Sequence, residues 1–140
     1  MSPEENKAIA RRHLEENWNQ GNLDSVNDIF ATECVFHFSR GAMARGTEAL
    51  KNGISGLRKA LPDIHITIED IFAEGDKVAM RWTAQATHTG EINLGRTISP
   101  TGKQVTFFGS EIHHLRDGKI VESWRNWDRL GLAQQLGLNL

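Results

Sequence analysis

The sequence lacks the features that mark several large classes of protein. It has a single cysteine, Cys34, so it cannot form an intramolecular disulfide. It contains no HxH or HExxH pair and no metal-finger spacing, so a zinc or iron centre is not expected. No apolar run approaches the roughly 18 to 20 residues of a membrane-spanning helix. The GxGxxG, GxxxxGK[ST] and GxSxG motifs are also missing, which argues against a nucleotide-phosphate site and a hydrolase elbow.

Clustered charge of either sign is missing too. The 140 residues carry 16 lysines and arginines against 18 aspartates and glutamates, and the basic residues are scattered along the chain. A nucleic-acid groove or a membrane-surface patch requires clustered basic charge, so neither partner is expected. The first residues, MSPEENKAIARR, do not resemble a signal peptide, so a cytoplasmic location is expected. The length predicts one domain over residues 1–140.

Helical patterns occupy the first half of the chain. Ser2 is a typical N-cap, and Glu5 completes a capping box with it, so a helix is predicted to begin there and run to about Gln20. Its buried stripe is Ala10, Leu14 and Trp18, with His13 and Asn17 beside it. Two further helices are predicted at about residues 23–31 and 47–61.

After Pro62 the apolar residues alternate, which is typical of half-buried strands. The pattern predicts about four long antiparallel strands, the first two joined at residues 74–76 and the last two at residues 117–118. Residues 34–38 predict a fifth, short strand, whose inward face is either Val35 and His37 or the set Cys34, Phe36 and Phe38. Helices on one face of an antiparallel sheet define an α+β fold. Because sheets twist, this one is expected to curl around the helices and leave an interior cavity.

The last hairpin, residues 109–136, carries the candidate acid and base groups. A type I turn with Gly118 as a bulge would pair Leu115 with Lys119 and place the even-numbered residues of both strands on one face. The members of that face are His114, Ile112, Ser110 and Phe108 with Glu122, Trp124, Asn126 and Asp128. A two-residue primed turn would instead bring His113 to the same face. We favour the bulged turn and therefore His114, and we expect the odd positions, including Val121 and Trp127, on the outer face.

A carboxylate beside a histidine in an apolar cavity can move protons. Burial raises the pKa of the carboxylate and lowers that of the histidine, while their mutual attraction opposes both shifts, so a group can be poised near neutrality. Asp128 is the candidate carboxylate, with the alternative that it caps the following turn or pairs with Arg125 or Arg129 at the surface. His37 lies between two phenylalanines, a setting that favours a structural, hydrogen-bonded histidine over a pocket residue. Trp18 and Trp82 are more typical of a core than of a ligand platform, whereas pocket lining and packing are equally good readings of Trp124.

Several segments, in this order, resemble the SnoaL-like polyketide cyclase family of the nuclear-transport-factor-two-like superfamily. They are WNQG, EGDKVAMRW, THTGE, PTGK and DGKIVESW, and the likeness extends from about residue 8 to about residue 137. The resemblance implies a cone-shaped α+β barrel with a pocket at its open end. It also implies an intramolecular aldol condensation without cofactor or metal, with Asp128 as the acid/base and His114 fourteen residues before it. His37 matches a pocket histidine of the family.

The resulting hypothesis is a cofactor-free cyclase, a lyase or isomerase acting on a small apolar carbonyl compound. Its binding residues would be Trp18, His37, Trp82, Phe108, Ile112, Trp124 and Asn126. The alternatives are a non-catalytic protein that binds a small apolar ligand, or a relative of the epoxide hydrolase or dehydratase type. The resemblance also implies a homodimer or homotetramer formed through the outer face of the sheet.

Overall fold

A computed structural model describes residues 1–139, with the side chain of Arg40 excepted; Leu140, the last residue of the predicted domain, lies outside the described residues. The helical elements are α1 (Pro3–Arg12), a π-helix (His13–Asn19), α2 (Val26–Ile29), a 3-10 turn (Ser39–Gly41), α3 (Thr47–Ala60) and α4 (Arg129–Gln135). The strands are β1 (Phe30–Phe38), β2 (Met43–Arg45), β3 (His65–Glu74), β4 (Lys77–Thr87), β5 (Ile92–Asn93), β6 (Thr97–Ile98), β7 (Gln104–Arg116) and β8 (Lys119–Trp127). No helix within residues 1–139 is both long and apolar enough to cross a membrane.

Six strands form one curved sheet in the order β2-β1-β8-β7-β4-β3, and β5 and β6 form a small separate hairpin. The predicted α+β fold, with N-terminal helices against a large sheet, is confirmed. The sheet is mixed rather than wholly antiparallel, because β1 runs parallel to β8. A parallel pair needs a long connection, and here β2, α3 and the strands β3 to β7 lie between β1 and β8 in the chain. The hairpin β5–β6 lies in the segment that connects β4 to β7.

The first helix begins as predicted. The Ser2 hydroxyl accepts from the Glu5 backbone at 3.1 Å, and the Glu5 carboxylate accepts from the Ser2 backbone at 3.3 Å. The helical path continues to Asn19, but its second half has the wider π-helical winding. A π-helix has more residues per turn, so its inward side is broader. Two polar side chains, His13 and Asn17, are therefore buried alongside the predicted apolar stripe.

Helix α2 is shorter than predicted because Phe30 already belongs to strand β1, where it pairs with Ile120 of β8. Tertiary strand pairing overrides the local helical spacing at this point. Along β1, Cys34 and Phe36 are buried, whereas His37 faces the opposite side of the sheet. The second of the two predicted facings is therefore correct for this strand.

The turn of the last hairpin differs from the favoured prediction. Asp117 and Gly118 both have positive φ angles, 51° and 80°, and Arg116 pairs with Lys119, as in a two-residue primed turn. A bulge then follows at Val121, because Leu115 pairs with Ile120 while His114 pairs with Glu122. The predicted pairing of Leu115 with Lys119 is wrong. The bulge nevertheless restores the predicted grouping of even-numbered residues on one face.

That even-numbered face is the outer one, so the predicted orientation is reversed. Phe108 and Ile112 are 53% and 47% exposed, whereas Glu111 and His113 on the same strand are buried. The reason lies along β7, where the odd positions include the buried apolar residues Val105, Phe107 and Leu115 and must face the core. On β8 the odd-numbered Trp127 likewise faces inward rather than outward.

Candidate functional site

A cavity of about 450 Å³ lies between helix α3, the β5–β6 hairpin and the inner face of the sheet. Most of its wall is apolar, with contributions from Leu50, Ile54, Leu57, Ile64, Ile66, Ile92, Phe107 and the indoles of Trp18, Trp82 and Trp127. Its polar lining residues are few: Glu91, Asn93, Arg125 and Arg129. An apolar cavity with a small number of placed polar groups is the usual form of a small-molecule site.

The polar end of the cavity is built by one cross-strand pair. Glu111 of β7 lies directly opposite Arg125 of β8, and both face inward. The Nε–H of Arg125 donates to Oε2 of Glu111 at 3.0 Å, and its Nη2 group donates to the same oxygen. The indole N–H of Trp82 is a third donor to that oxygen, also at 3.0 Å. The Glu111 side chain is only 1% exposed, so this carboxylate is held almost entirely by the protein.

The guanidinium of Arg125 is also fixed by aromatic contacts. Its central carbon lies 4.9 Å from the ring centre of Trp18 and 5.7 Å from that of Trp82. Such cation–π contacts hold the planar group in one orientation. Gly109, opposite Trp82 on the neighbouring strand, makes room for this arrangement, since a Cβ there would overlap the indole. Within residues 1–139, no protein atom accepts a hydrogen bond from Nη1, so Arg125 keeps donors for a group in the cavity that it lines.

Two histidines complete a buried polar cluster behind Arg125. The Nδ1 of His113 lies 2.9 Å from the Ser123 hydroxyl. Its Nε2 lies 3.0 Å from Oε1 of Glu111, although its direction is too oblique for a well-formed hydrogen bond. The Nδ1–H of His13 donates to Asn17 at 2.8 Å, and its Nε2 lies 3.9 Å from the same Glu111 oxygen. The cluster therefore surrounds one carboxylate with three potential cations.

Burial and charge set the protonation of this cluster. Burial lowers the pKa of His13 to about 4, and Arg125 and His113 add to the effect while Glu111 opposes it. Burial alone would raise the pKa of Glu111, but the charge of Arg125 and the contact with His113 outweigh it and hold that pKa well below its usual range. At neutral pH, Glu111 and Arg125 thus form an ion pair beside a neutral His13.

The structure brings only two of the sequence-predicted binding residues into the cavity, Trp18 and Trp82. Asp128 is exposed and is the N-cap of α4, where its carboxylate accepts from the Gly131 backbone at 2.8 Å. His114 is half-buried on the outer side of the sheet and donates to Asp76 at 2.7 Å. The predicted proximity of Asp128 and His114 inside a pocket is therefore not found, because both belong to the outward-facing set of positions.

The other predicted binding residues also lie on the outer face. His37 is stacked on Trp124, with ring centres 5.0 Å apart and planes 9° from parallel, and its Nε2 donates to Glu122 at 2.6 Å. Asn126 is exposed and accepts from the Ser39 hydroxyl at 3.3 Å. Phe108 and Ile112 are the exposed outer residues described above.

The residues that sequence reasoning did not combine into a site are Glu111, Arg125, His13 and His113. A partial signal was present on β7, where the odd positions that include Glu111 and His113 hold three large apolar residues, Val105, Phe107 and Leu115, against two, Phe108 and Ile112, at even positions. A charged residue on the more apolar face of a strand is expected to face the core and to need a partner there. Within the part of the chain that the structure describes, no group of three histidine, cysteine, aspartate or glutamate side chains is arranged to hold a metal ion.

Comparison with known proteins now defines the class. The profile of the SnoaL-like polyketide cyclase family matches residues 8–136, and the chain belongs to this family. This confirms the resemblance in the sequence. No curated protein sequence matches the chain at a significant level.

Solved structures agree in fold across nearly the whole chain. AclR from Streptomyces galilaeus, described as a candidate hydroxylase, is 30% identical, with 97% of this chain and 83% of that chain covered and a TM-score of 0.86. IdmH from Streptomyces antibioticus, described as a candidate polyketide cyclase, is 27% identical, with 95% and 99% covered and a TM-score of 0.82. TsrD from Streptomyces laurentii is 26% identical, with 98% of each chain covered and a TM-score of 0.84.

Proposed function

We propose that this protein is a cofactor-free enzyme of the cyclase or isomerase type that takes a small, mostly apolar carbonyl compound into its cavity. The observation that carries the proposal is the placement of Arg125, a fixed cation in the wall of a mostly apolar cavity, with hydrogen-bond donors left over. Membership of the polyketide cyclase family supports it, as does the description of IdmH as a candidate polyketide cyclase.

Arg125 would act as the electrophilic group. When a carbon next to a carbonyl loses a proton, negative charge develops on the carbonyl oxygen. A preorganised donor aimed at that oxygen stabilises the charge, and removing such a donor typically costs about 100- to 1,000-fold in rate. The indoles of Trp18 and Trp82 exclude water around the guanidinium, which strengthens its electrostatic effect.

Glu91 is the carboxylate in the cavity lining and is the base in this proposal. Glu111 is unsuited to the role, because Arg125 holds it ionised and its lowered pKa makes it a weak base. Glu91 would take the proton from the carbon beside the carbonyl, giving an enolate bound to Arg125. The enolate carbon then bonds to a second carbonyl carbon of the same molecule, and the resulting alkoxide takes the proton back from Glu91.

The first step can be tested without knowing the natural substrate. Aromatic 1,3-diketones and β-keto esters exchange the proton between their carbonyls with D₂O, and NMR follows that exchange. We expect the wild-type protein to accelerate exchange above the buffer rate, and Arg125→Lys and Glu91→Gln each to lose most of the acceleration. Glu48→Gln is a matched control, since Glu48 is an exposed carboxylate on α3 outside the cavity lining. No acceleration with any member of the panel would reject the proposal.

A second candidate function is binding without chemistry. It is favoured by the exposure of Asp128, the carboxylate that the family resemblance assigns to catalysis, and by the exposure of Glu91, the carboxylate of the cavity lining. Isothermal titration with the same compounds separates the two functions. Saturable binding with exchange at the buffer rate would support a binding protein.

A further inference from the structure

The charges around the cavity balance: Arg125 and Arg129 of the lining are matched in number by Glu91 of the lining and by Glu111, which is paired with Arg125. Both contacts of Arg125 to Glu111 go to one carboxylate oxygen, so the cation is matched by a single buried anion. Two histidines, His113 and His13, also lie within 4 Å of this carboxylate. His13 is buried and hydrogen-bonded to Asn17. A ligand that brings its own negative charge would therefore be the second anion around one guanidinium.

We infer that Glu111 determines which ligands the cavity accepts: it reserves Arg125 for an uncharged carbonyl oxygen and excludes carboxylates. A ketone or ester oxygen can accept an N–H from Arg125 without losing much hydration. A carboxylate must give up far more hydration to enter an apolar cavity, and here Arg125 is already paired with Glu111, while the charge of Arg129 is matched by Glu91 in the same lining. The inference rests on the proposed function for the position of the ligand, and it names the substrate class as neutral ketones and esters.

The same geometry predicts what removing the charge of Glu111 does. With Glu111→Gln, the amide still fills the space of the carboxylate and can still accept from Trp82, but Arg125 loses its counter-ion. An unpaired buried cation favours any anion that can reach it. A carboxylate ligand would then take the place of the missing charge, and the selectivity of the cavity would reverse.

The test uses two ligands of nearly the same shape. The ligands 2-acetylnaphthalene and 2-naphthoate share a bicyclic body and a carbonyl at the same position, but only the second is an anion at pH 7.5. Binding is followed by titration calorimetry and by the fluorescence of the tryptophans, three of which, Trp18, Trp82 and Trp127, line the cavity. For the wild-type protein we expect the ketone to bind at least about tenfold more tightly, a difference of roughly 1.4 kcal/mol. For Glu111→Gln we expect the ratio to change in favour of the carboxylate by about 100-fold or more.

Glu111→Asp is the matched control, because it keeps the charge and should keep the preference for the ketone. Equal affinity of the wild-type protein for the two ligands would overturn the inference, as would an unchanged ratio in folded Glu111→Gln. Circular dichroism shows whether Glu111→Gln is folded. If it is not, it is refolded with each ligand: recovery with 2-naphthoate alone supports the inference, and recovery with neither or with both alike overturns it.

These outcomes are separate from those of the proposed function. Deuterium exchange tests whether the cavity performs chemistry, whereas the naphthalene pair tests which charge it accepts. A protein that prefers the ketone in a Glu111-dependent way but exchanges no protons would refute the enzyme proposal and leave this inference standing. A protein that accelerates exchange but binds both naphthalenes equally would refute this inference and leave the enzyme proposal standing.

Discussion

Glu111 and Arg125 pair directly across strands β7 and β8, and this pair is the point from which the polar end of the cavity is built. A buried ion pair of this kind contributes little net stability compared with apolar residues of the same size, but breaking it by removing one partner is costly. The pair also holds the indole of Trp82 through a shared carboxylate oxygen. Changing one partner or both partners of the ion pair therefore separates its effect on stability from its effect on ligand binding in the cavity.

Removing the cation alone should destabilise the fold strongly. Arg125→Met leaves the Glu111 carboxylate buried with its main partner gone, and we expect the free energy of unfolding to fall by about 3–5 kcal/mol. The double change Glu111→Gln and Arg125→Met removes both charges and should recover most of that loss. Urea unfolding monitored by tryptophan fluorescence measures all three proteins. A double variant as unstable as Arg125→Met would mean that packing, and not the unpaired charge, causes the loss.

The buried His13 should make stability depend on pH in a defined range. Its pKa is lowered to about 4, below the ordinary value of 6.5, so the unfolded chain binds a proton at this residue more readily than the folded one. The contribution of His13 is therefore complete above about pH 6.5 and is lost as the pH falls toward 4. We expect a decrease in the free energy of unfolding on the order of 2 kcal/mol over that range. Urea titrations at a series of pH values would measure it.

His13→Asn supplies the control for this pH dependence. The groups facing His13 are Glu111, Arg125 and His113, and all three are retained in that variant. Glu111 should lower the free energy of unfolding only at more acidic pH. Its pKa is held below the ordinary value of 4.5, so its contribution to stability is lost only when the pH falls below that value. A wild-type slope between pH 6.5 and 4 that persists in His13→Asn would assign the effect to other groups.

Sequence reasoning placed the helices and most strands correctly but reversed the faces of the last hairpin. Whether His114 and Glu122 share a face depends on the turn and on the bulge. The turn was predicted with the wrong pairing and the bulge at Val121 was not predicted, and these two errors cancelled. The choice of inward face does not depend on the hairpin at all. It is decided by packing of the whole sheet, through core residues such as Phe107 and Leu115, and a polar residue at an inward position is then buried regardless of its own preference.

Glu111 and Arg125 could not be recognised as a pair from local patterns. They are fourteen residues apart, and charged residues are rarely buried, so each reads as a surface position when considered alone. Only the cross-strand register, fixed by the bulge at Val121, brings them opposite each other. The π-helix could not be predicted from local patterns either, because the spacing of its apolar residues is also that of an ordinary α-helix. In the structure, His13 and Asn17 of this segment are buried.

Asp128 should prove to be a structural cap. Asp128→Asn keeps a good N-cap and should leave stability nearly unchanged, whereas Asp128→Ala loses the bond to the Gly131 backbone and should cost about 1 kcal/mol. Because Asp128 is exposed and absent from the cavity wall, we expect both variants to accelerate deuterium exchange as much as we propose for the wild-type protein. A folded Asp128→Asn protein that has lost exchange would instead support the acid/base role implied by the family resemblance.

The outer face of the sheet carries a continuous row of side chains, one from each of the six strands. In register from β2 to β3 the row is Met43, His37, Trp124, Ile112, Ala79 and Phe72. Three of these, Met43, Phe72 and Ile112, are large apolar side chains that are 64%, 66% and 47% exposed. We propose that this apolar strip is an interaction surface.

A second copy of the chain is the occupant that we expect for this strip, because a two-fold axis through it would cover both strips with the same apolar contacts. Ile112→Glu places a charge at its centre and should convert a dimer to a monomer, since an unpaired buried carboxylate strongly disfavours the contact. Gln85→Glu is a matched control, because Gln85 is exposed on β4 and lies outside the row. Sedimentation velocity at micromolar concentration compares the wild-type protein with both variants. A monomeric wild-type protein, or equal dissociation in the two variants, would contradict assembly through this row, whereas a monomer only with Ile112→Glu would locate the interface at the outer face of the sheet.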